Sequence, residues 1–226
     1  SIIGVMRSYL RPAVVIRDAL DVAVRADEMF SPDNTHVLDL PEMGGPLECF
    51  PNGDSSHFAK AFGIRRTVKN MGRYICRWPG HRAFWEVMAR SGFLSDEPIR
   101  VGSCEVAPTA FCASLLGSQK QFFYGDGERD IALVRTDARG LKDGKPWRVV
   151  CQVIDKRDLE TGLTSMQRTV GFPVSIGARM ILDGRLEKKG IVRPDEVPFD
   201  EFMGELGQRG ITWSREAGPW DGKLEP

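Results

Sequence analysis

Histidine is scarce in this chain of 226 residues: His36, His57 and His81 are the only three, and no HExxH spacing is present. That excludes the helical zinc-protease pattern. The five cysteines (Cys49, Cys76, Cys104, Cys112 and Cys151) are odd in number, widely spaced and without a CxxC pair. Neither a zinc ribbon nor a secreted disulfide framework fits them, and they read as reduced thiols of a cytoplasmic protein. No apolar run approaches the roughly 18 residues of a membrane span. The opening residues lack the order of a signal peptide. Lys plus Arg equal Asp plus Glu at 31 each, with no long block of one sign. This removes the electrostatic basis for tight binding to nucleic acid. There is no Walker sequence. The segment Gly125-Asp126-Gly127-Glu128-Arg129-Asp130 lacks a third glycine and precedes a strand, so the chain has no dinucleotide-binding loop of its own.

What is present reads as one domain over 1–226 of α/β (α+β) class, a mixed, largely antiparallel sheet with helices packed mainly on one face. Two β-prone runs, 13–16 and 20–24, flank Arg17-Asp18-Ala19 as a hairpin, with an amphipathic helix as the competing reading. Leu47 to Phe50 is a further strand, turned by Pro51-Asn52-Gly53-Asp54. Asp54 or Ser55 then caps a helix bearing Phe58, Ala61 and Phe62, stopped at Gly63. Residues 73–78 repeat this grammar: a strand, a Pro79-Gly80 break, and a helix with Phe84, Val87 and Met88 on one face up to Gly92. A helix is expected over 105–116. Asp143-Gly144 sets a hairpin between 131–139 and 147–155. Thr164-Ser165-Met166-Gln167 has capping-box form and opens a helix to about Gly184, its apolar series being Met166, Val170, Pro173, Val174, Gly177 and Ile181. Pro173 leaves the Thr169 carbonyl without its usual partner and should kink that helix. A last helix covers 199–208, Ile211 to Trp213 could add an edge strand, and 214–226 reads as a loose tail.

The residues that could carry chemistry are few. Arg73 and Arg77, four apart on a strand, share one face, and the guanidinium fork suits carboxylates. The alternative for either is a salt bridge to Glu86, Asp96 or another acid. His81 follows Pro79-Gly80, where an imidazole could act as acid or base, although a surface or packing role competes. Ser55, Ser56 and His57 are adjacent but lack a nucleophile elbow and read better as a capped helix start. No metal-ligand cluster is evident.

Arg77-Trp78-Pro79-Gly80-His81, followed by a helix ending in Ser91-Gly92-Phe93-Leu94, resembles the RYPGH segment of saccharopine dehydrogenase and lysine 6-dehydrogenase relatives. Upstream, Tyr9 to Asp18 is similar to the family's YLNPAVVIRDG stretch, and Phe50 to Ser55 to its FPNRDS turn. Downstream, Asp155 to Pro173 is similar to its D-x-x-D-x-x-TGLTAMARTTGFP signature. Such enzymes join an N-terminal Rossmann domain to a C-terminal domain that binds the amino-acid substrate and commonly mediates dimer contacts, and this sequence resembles only the latter. The resemblance implies an oxidoreductase acting on the C–N bond of an amino acid or amine. NAD or NADP would be bound elsewhere, N-terminal to Ser1 or on a separate Rossmann subunit, and a homodimer is expected. It also implies Arg77 as a carboxylate clamp with Asn52, Asp54 and Thr169 as polar lining. One departure is that Gly53 stands where the family turn has arginine, which weakens saccharopine as the substrate: an amino acid with fewer carboxylates, such as lysine, or another amine fits the missing charge at least as well, unless Arg65 or Arg66 substitutes. The competing reading is a non-catalytic binding or dimerisation module that kept the fold.

Overall fold

A computed structural model describes residues 2–221 and divides into two compact units, Ser1–Phe122 and Phe123–Pro226. The first unit begins with helix α1 (Ile2–Ser8) and the antiparallel hairpin β1 (Ala13–Arg17) and β2 (Leu20–Val24). Asp18 and Ala19 take left-handed φ values of 48° and 66°, the two-residue turn that matches strand twist. The strands β3 (His36–Leu40), β4 (Gly45–Pro51) and, after helix α2 (Ser55–Ala61), β5 (Tyr74–Arg77) form a sheet in the order β3-β4-β5. Helix α3 (His81–Arg90), a small hairpin of β6 (Ile99–Val101) and β7 (Cys104–Val106), and helix α4 (Pro108–Gly117) complete the unit. The expected helix over 105–116 thus starts later, at Pro108, because Glu105 pairs in the hairpin and Ala107 is extended ahead of the proline.

The core of this unit gathers Met6, Tyr9, Met29, Phe30, Phe50, Trp85, Leu94 and Cys112. Phe50 is wholly buried, and a side chain of that size contributes about 2–3 kcal/mol by leaving water. The inward residue of α3 is Trp85, with Met88 and Ala89 packed beside it, while Phe84 and Val87 are exposed. On α2 the buried residues are Ser55, Ser56 and Ala59, and Phe58 and Phe62 face outward. Both helices carry apolar residues on more than one face, so spacing alone did not select the inner one.

The second unit is built on a long hairpin, β8 (Ile131–Lys142) and β9 (Lys145–Lys156), closed by Asp143 and Gly144 at φ 53° and 74°. Helix α5 (Ser165–Leu182) starts in the expected capping box: the Thr164 hydroxyl accepts from the Gln167 amide, and the Gln167 side chain accepts from the Thr164 amide. Pro173 lies within it. Its buried face is Ile176 and Met180, packed with Leu206 of helix α6 (Phe199–Gln208) and with Ile211, while Met166, Val170, Val174 and Ile181 are exposed. Strand β10 (Trp213–Pro219) then pairs antiparallel with β9. The chain from Ser214 to Pro219 is therefore not a loose tail: it satisfies the ladder groups on the second side of β9. Trp220 also donates its amide to the Pro146 carbonyl, and the last part of that expectation, 222–226, lies outside the described residues. Among the described residues the strand pairs are antiparallel, with a parallel isolated bridge between Val14 and Asp54. The fold is mixed α/β with antiparallel sheets, and among the described residues no helix is long and apolar enough to cross a membrane.

Candidate functional site

The chemistry-bearing residues of the first unit lie at the two ends of β5. At its C-terminal end, Gly80 takes a left-handed φ of 90°, which turns the chain from Arg77 directly into α3 at His81. The imidazole is packed against the rings of Phe50 and Trp85. Its Nε2 meets the hydroxyl of Tyr9 at 2.6 Å. Tyr9 itself is only 1% exposed and is ringed by Phe30, Phe50 and Trp85. Burial pushes the His81 imidazole down to about 4, the Arg77 charge adds to this, and Glu48 opposes it. Burial likewise raises the Tyr9 phenol, opposed by the neighbouring Arg77 guanidinium. Both rings are therefore uncharged near neutrality. The phenol and the neutral imidazole share this hydrogen bond, and which of them donates follows the ring tautomer.

Glu48 is the cross-strand neighbour of Arg77. Its carboxylate accepts from the Arg82 amide at 3.1 Å, and the Arg82 guanidinium donates to the Phe30 carbonyl at 2.7 Å. Glu48 is thus engaged by the first turn of α3. Arg77 donates to the Cys76 carbonyl at 3.0 Å, and among the described residues no carboxylate reaches it within salt-bridge distance. Nor does either acid weighed for Arg73 or Arg77 serve them: Glu86 pairs with Arg82 and Arg90, and Asp96 with Arg7.

At the other end of β5, Arg73 meets the 51–54 turn. Its carbonyl accepts from the Asn52 amide at 2.8 Å, and its amide donates to the Ser55 hydroxyl at 2.9 Å. Gly53 has φ +71°, and a Cβ built on it would lie 3.3 Å from Nη1 of Arg73. The guanidinium therefore stands against the very position where the related turn bears arginine. Arg65 does not take that place, since it pairs with Asp21 at 2.7 Å and with the Ala19 carbonyl. Asp54 spends Oδ1 on the cap of α2, accepting from the Ser56 amide and hydroxyl and from the His57 amide. The Ser56 hydroxyl bond holds its carboxyl below the ordinary range. With Ser55 and Ser56 tied to the turn and His57 exposed, these three form no hydrolytic group. Thr169 belongs to the second unit, where its hydroxyl donates to the Ser165 carbonyl at 2.8 Å.

The Gly125–Asp130 segment does not form a dinucleotide-binding loop. The Gly125 amide is spent on Glu128 at 2.6 Å, its carbonyl accepts from Arg157, and the segment runs on into β8 instead of a helix N-terminus. No cluster of three metal-ligating side chains is present among the described residues.

The model of the saccharopine dehydrogenase C-terminal domain matches residues 1–211. The chain belongs to that family. Its relatives include the mitochondrial alpha-aminoadipic semialdehyde synthases of Bos taurus, at 33% identity, and Rattus norvegicus, at 22%, each matched over 95% of this chain and 29% of the relative. The NADP(+)-dependent, L-glutamate-forming saccharopine dehydrogenase of Schizosaccharomyces pombe is 28% identical over 46% of this chain and 23% of its own length. Among solved structures, the apo saccharopine dehydrogenase (L-Glu forming) of Saccharomyces cerevisiae superposes with a TM-score of 0.77 at 20% identity, over 96% of this chain and 61% of that one. The chain thus spans under a third of the length of these animal relatives and about three fifths of the yeast structure.

Tyr9, Glu48 and Arg82 carried no signal of their own in the sequence. Tyr9 sits within the stretch that carries the family resemblance, but its contact with His81 spans 72 residues and follows no local spacing.

Proposed function

We propose that this domain is the substrate-binding half of an NAD- or NADP-dependent oxidoreductase acting on the C–N bond of an amino acid, of saccharopine or lysine dehydrogenase type. The nicotinamide cofactor, held outside the described residues, supplies the hydride chemistry. This chain supplies placement. The observation that carries the reading is Arg77, half-buried, without a carboxylate of its own and backed by the Tyr9 and His81 pair. Its partners, the Cys76 carbonyl and the Tyr9 phenol, are neutral, and a substrate carboxylate would match both its charge and its fork.

His81 acts here as a positioning residue. Because it is neutral near pH 7 it has no imidazolium proton to give; it fixes the Tyr9 hydroxyl beside Arg77. Arg73 supplies the second cation. Four residues of strand rise separate the two arginines by about 13 Å, which favours a substrate with carboxylates at both ends, such as saccharopine, over one with a single carboxylate. Asn52 borders the Arg73 end, its amide donating to the Arg73 carbonyl. A homodimer, or a separate Rossmann subunit, is the expected partner.

Calorimetric titration of the full chain with saccharopine and with lysine, alone and with a nicotinamide-binding half added, tests this. Saccharopine should bind more tightly. Arg77→Lys, which keeps charge but loses the fork, should weaken binding about tenfold. Arg73→Ala should weaken saccharopine and leave lysine unchanged. If no amino acid binds under either condition, the non-catalytic module is the better description.

A further inference from the structure

The two cysteines nearest the site lie directly opposite one another. In the β4 and β5 ladder Cys49 is the register partner of Cys76, and their sulfurs are 3.3 Å apart. The ladder's parity decides what kind of pair this is. The Asn52 amide donates to the Arg73 carbonyl at 2.8 Å, which makes that pair hydrogen-bonded. Alternate pairs alternate in type, so Cys49 and Cys76 occupy a non-hydrogen-bonded position. There the Cα atoms approach to about 4.5 Å, inside the range of about 4.4 to 6.8 Å that a disulfide spans. All five cysteines are free thiols, Cys49 buried and Cys76 partly exposed.

From this geometry we infer that Cys49 and Cys76 are an oxidative modification site, a dithiol that a hydroperoxide converts into a disulfide across β4 and β5. The inference does not rest on the proposed substrate or reaction. Accessibility makes Cys76 the attacking sulfur. The Cys49 thiol donates to it and, with burial opposing and Arg77 assisting, holds the Cys76 thiol below its ordinary range, while the same bond and burial push Cys49 up.

In the first step the Cys76 thiolate bonds to one peroxide oxygen and the O–O bond breaks. The departing oxygen takes a proton and leaves as water or an alcohol, and Cys76 is left as a sulfenic acid. Cys49 then attacks that sulfur, the S–S bond forms, the S–O bond breaks, and the hydroxyl leaves as water with the Cys49 proton. Two thiols lose two electrons in all, and the peroxide gains them. The site adjoins the candidate substrate site, because Arg77 donates to the carbonyl of Cys76 itself.

The test is limited treatment of the full chain with hydrogen peroxide, alkylation of the remaining thiols, and non-reducing peptide mass spectrometry. The main product should be a tryptic peptide 26–60 joined to 74–77 within a monomer, with two alkylatable thiols lost per chain and regained with dithiothreitol. Cys104, Cys112 and Cys151 should still be alkylated. In Cys49→Ser the link should vanish and dimedone should label Cys76. Recovery of both peptides alkylated at doses that already oxidise the exposed Cys104, or passage of wild-type Cys76 to sulfinic acid without linkage, overturns the proposal. The wild-type measurement needs no variant, so poor folding of Cys49→Ser would leave it decisive.

Discussion

The phenol of Tyr9 and the imidazole of His81 meet at 2.6 Å across 72 residues of chain, and the pair joins α1's end to α3's beginning. Its uncharged state has a consequence for stability. In the unfolded chain His81 titrates near 6.5, in the folded one near 4. Between those values the unfolded state binds a proton that the folded state refuses, so stability is full above about pH 6.5 and falls as the pH drops towards about 4. The shift is worth on the order of 1–3 kcal/mol. His81→Gln keeps an acceptor for Tyr9 but does not titrate, and should flatten the denaturation midpoint across this window. An unchanged slope would mean that other groups, among them His36, whose imidazole burial also lowers, carry the acid sensitivity.

Gly53 is held at φ +71° with Arg73 alongside. Gly53→Ala should cost about 1 kcal/mol, because the left-handed backbone penalises a Cβ. The arginine is the flexible end of a long side chain and can give way. Adding Arg73→Ala should therefore recover little of the loss in urea midpoint; full recovery would identify the clash, not the backbone, as the cause.

Asp54 accepts three hydrogen bonds at the start of α2. Asp54→Ala should lower stability by about 1 kcal/mol and Asp54→Asn by only a few tenths, since asparagine caps nearly as well. Equal losses on chemical denaturation would point to the charge instead of the cap.

In the second unit Arg168 and Asp155, both nearly buried, pair through two bonds of 2.9 and 3.2 Å, and Arg168 also donates to the Arg209 carbonyl. Asp155→Ala removes the nearer of the two carboxylates at that guanidinium, leaving Asp158 at 3.6 Å, and should cost about 3 kcal/mol. Combining it with Arg168→Met should cost less than the sum of the two single changes, which a double-mutant cycle on thermal unfolding measures. Additive losses would deny the coupling.

Local chemistry made part of this fold legible in the sequence. Asp143-Gly144 can hardly be anything but a hairpin turn, and Thr164 with Gln167 announces a helix start. Helix faces were harder. Met166, Val170 and Val174 follow a helical period as well as Ile176 and Met180 do, and only the position of α6 determines which set is covered. Arg73 and Arg77 were recognisable as candidate anion ligands by residue type. What surrounds them was not, because Tyr9, Glu48 and Gly53 reach them through pairings distant in the chain. The arginine missing from the turn reads as a plain loss in the sequence, whereas in the structure the Arg73 guanidinium lies beside Gly53.

The family match ends at residue 211, two residues before β10 begins. A fragment cut at that boundary would strip β9 of its second neighbour and bare the backbone from Trp147 to Val153, with its valines, as an open edge. Such an edge recruits strands from other molecules. Aggregation of that fragment would then report a misplaced boundary, and Trp213 to Pro219 would be the segment that keeps the domain to itself.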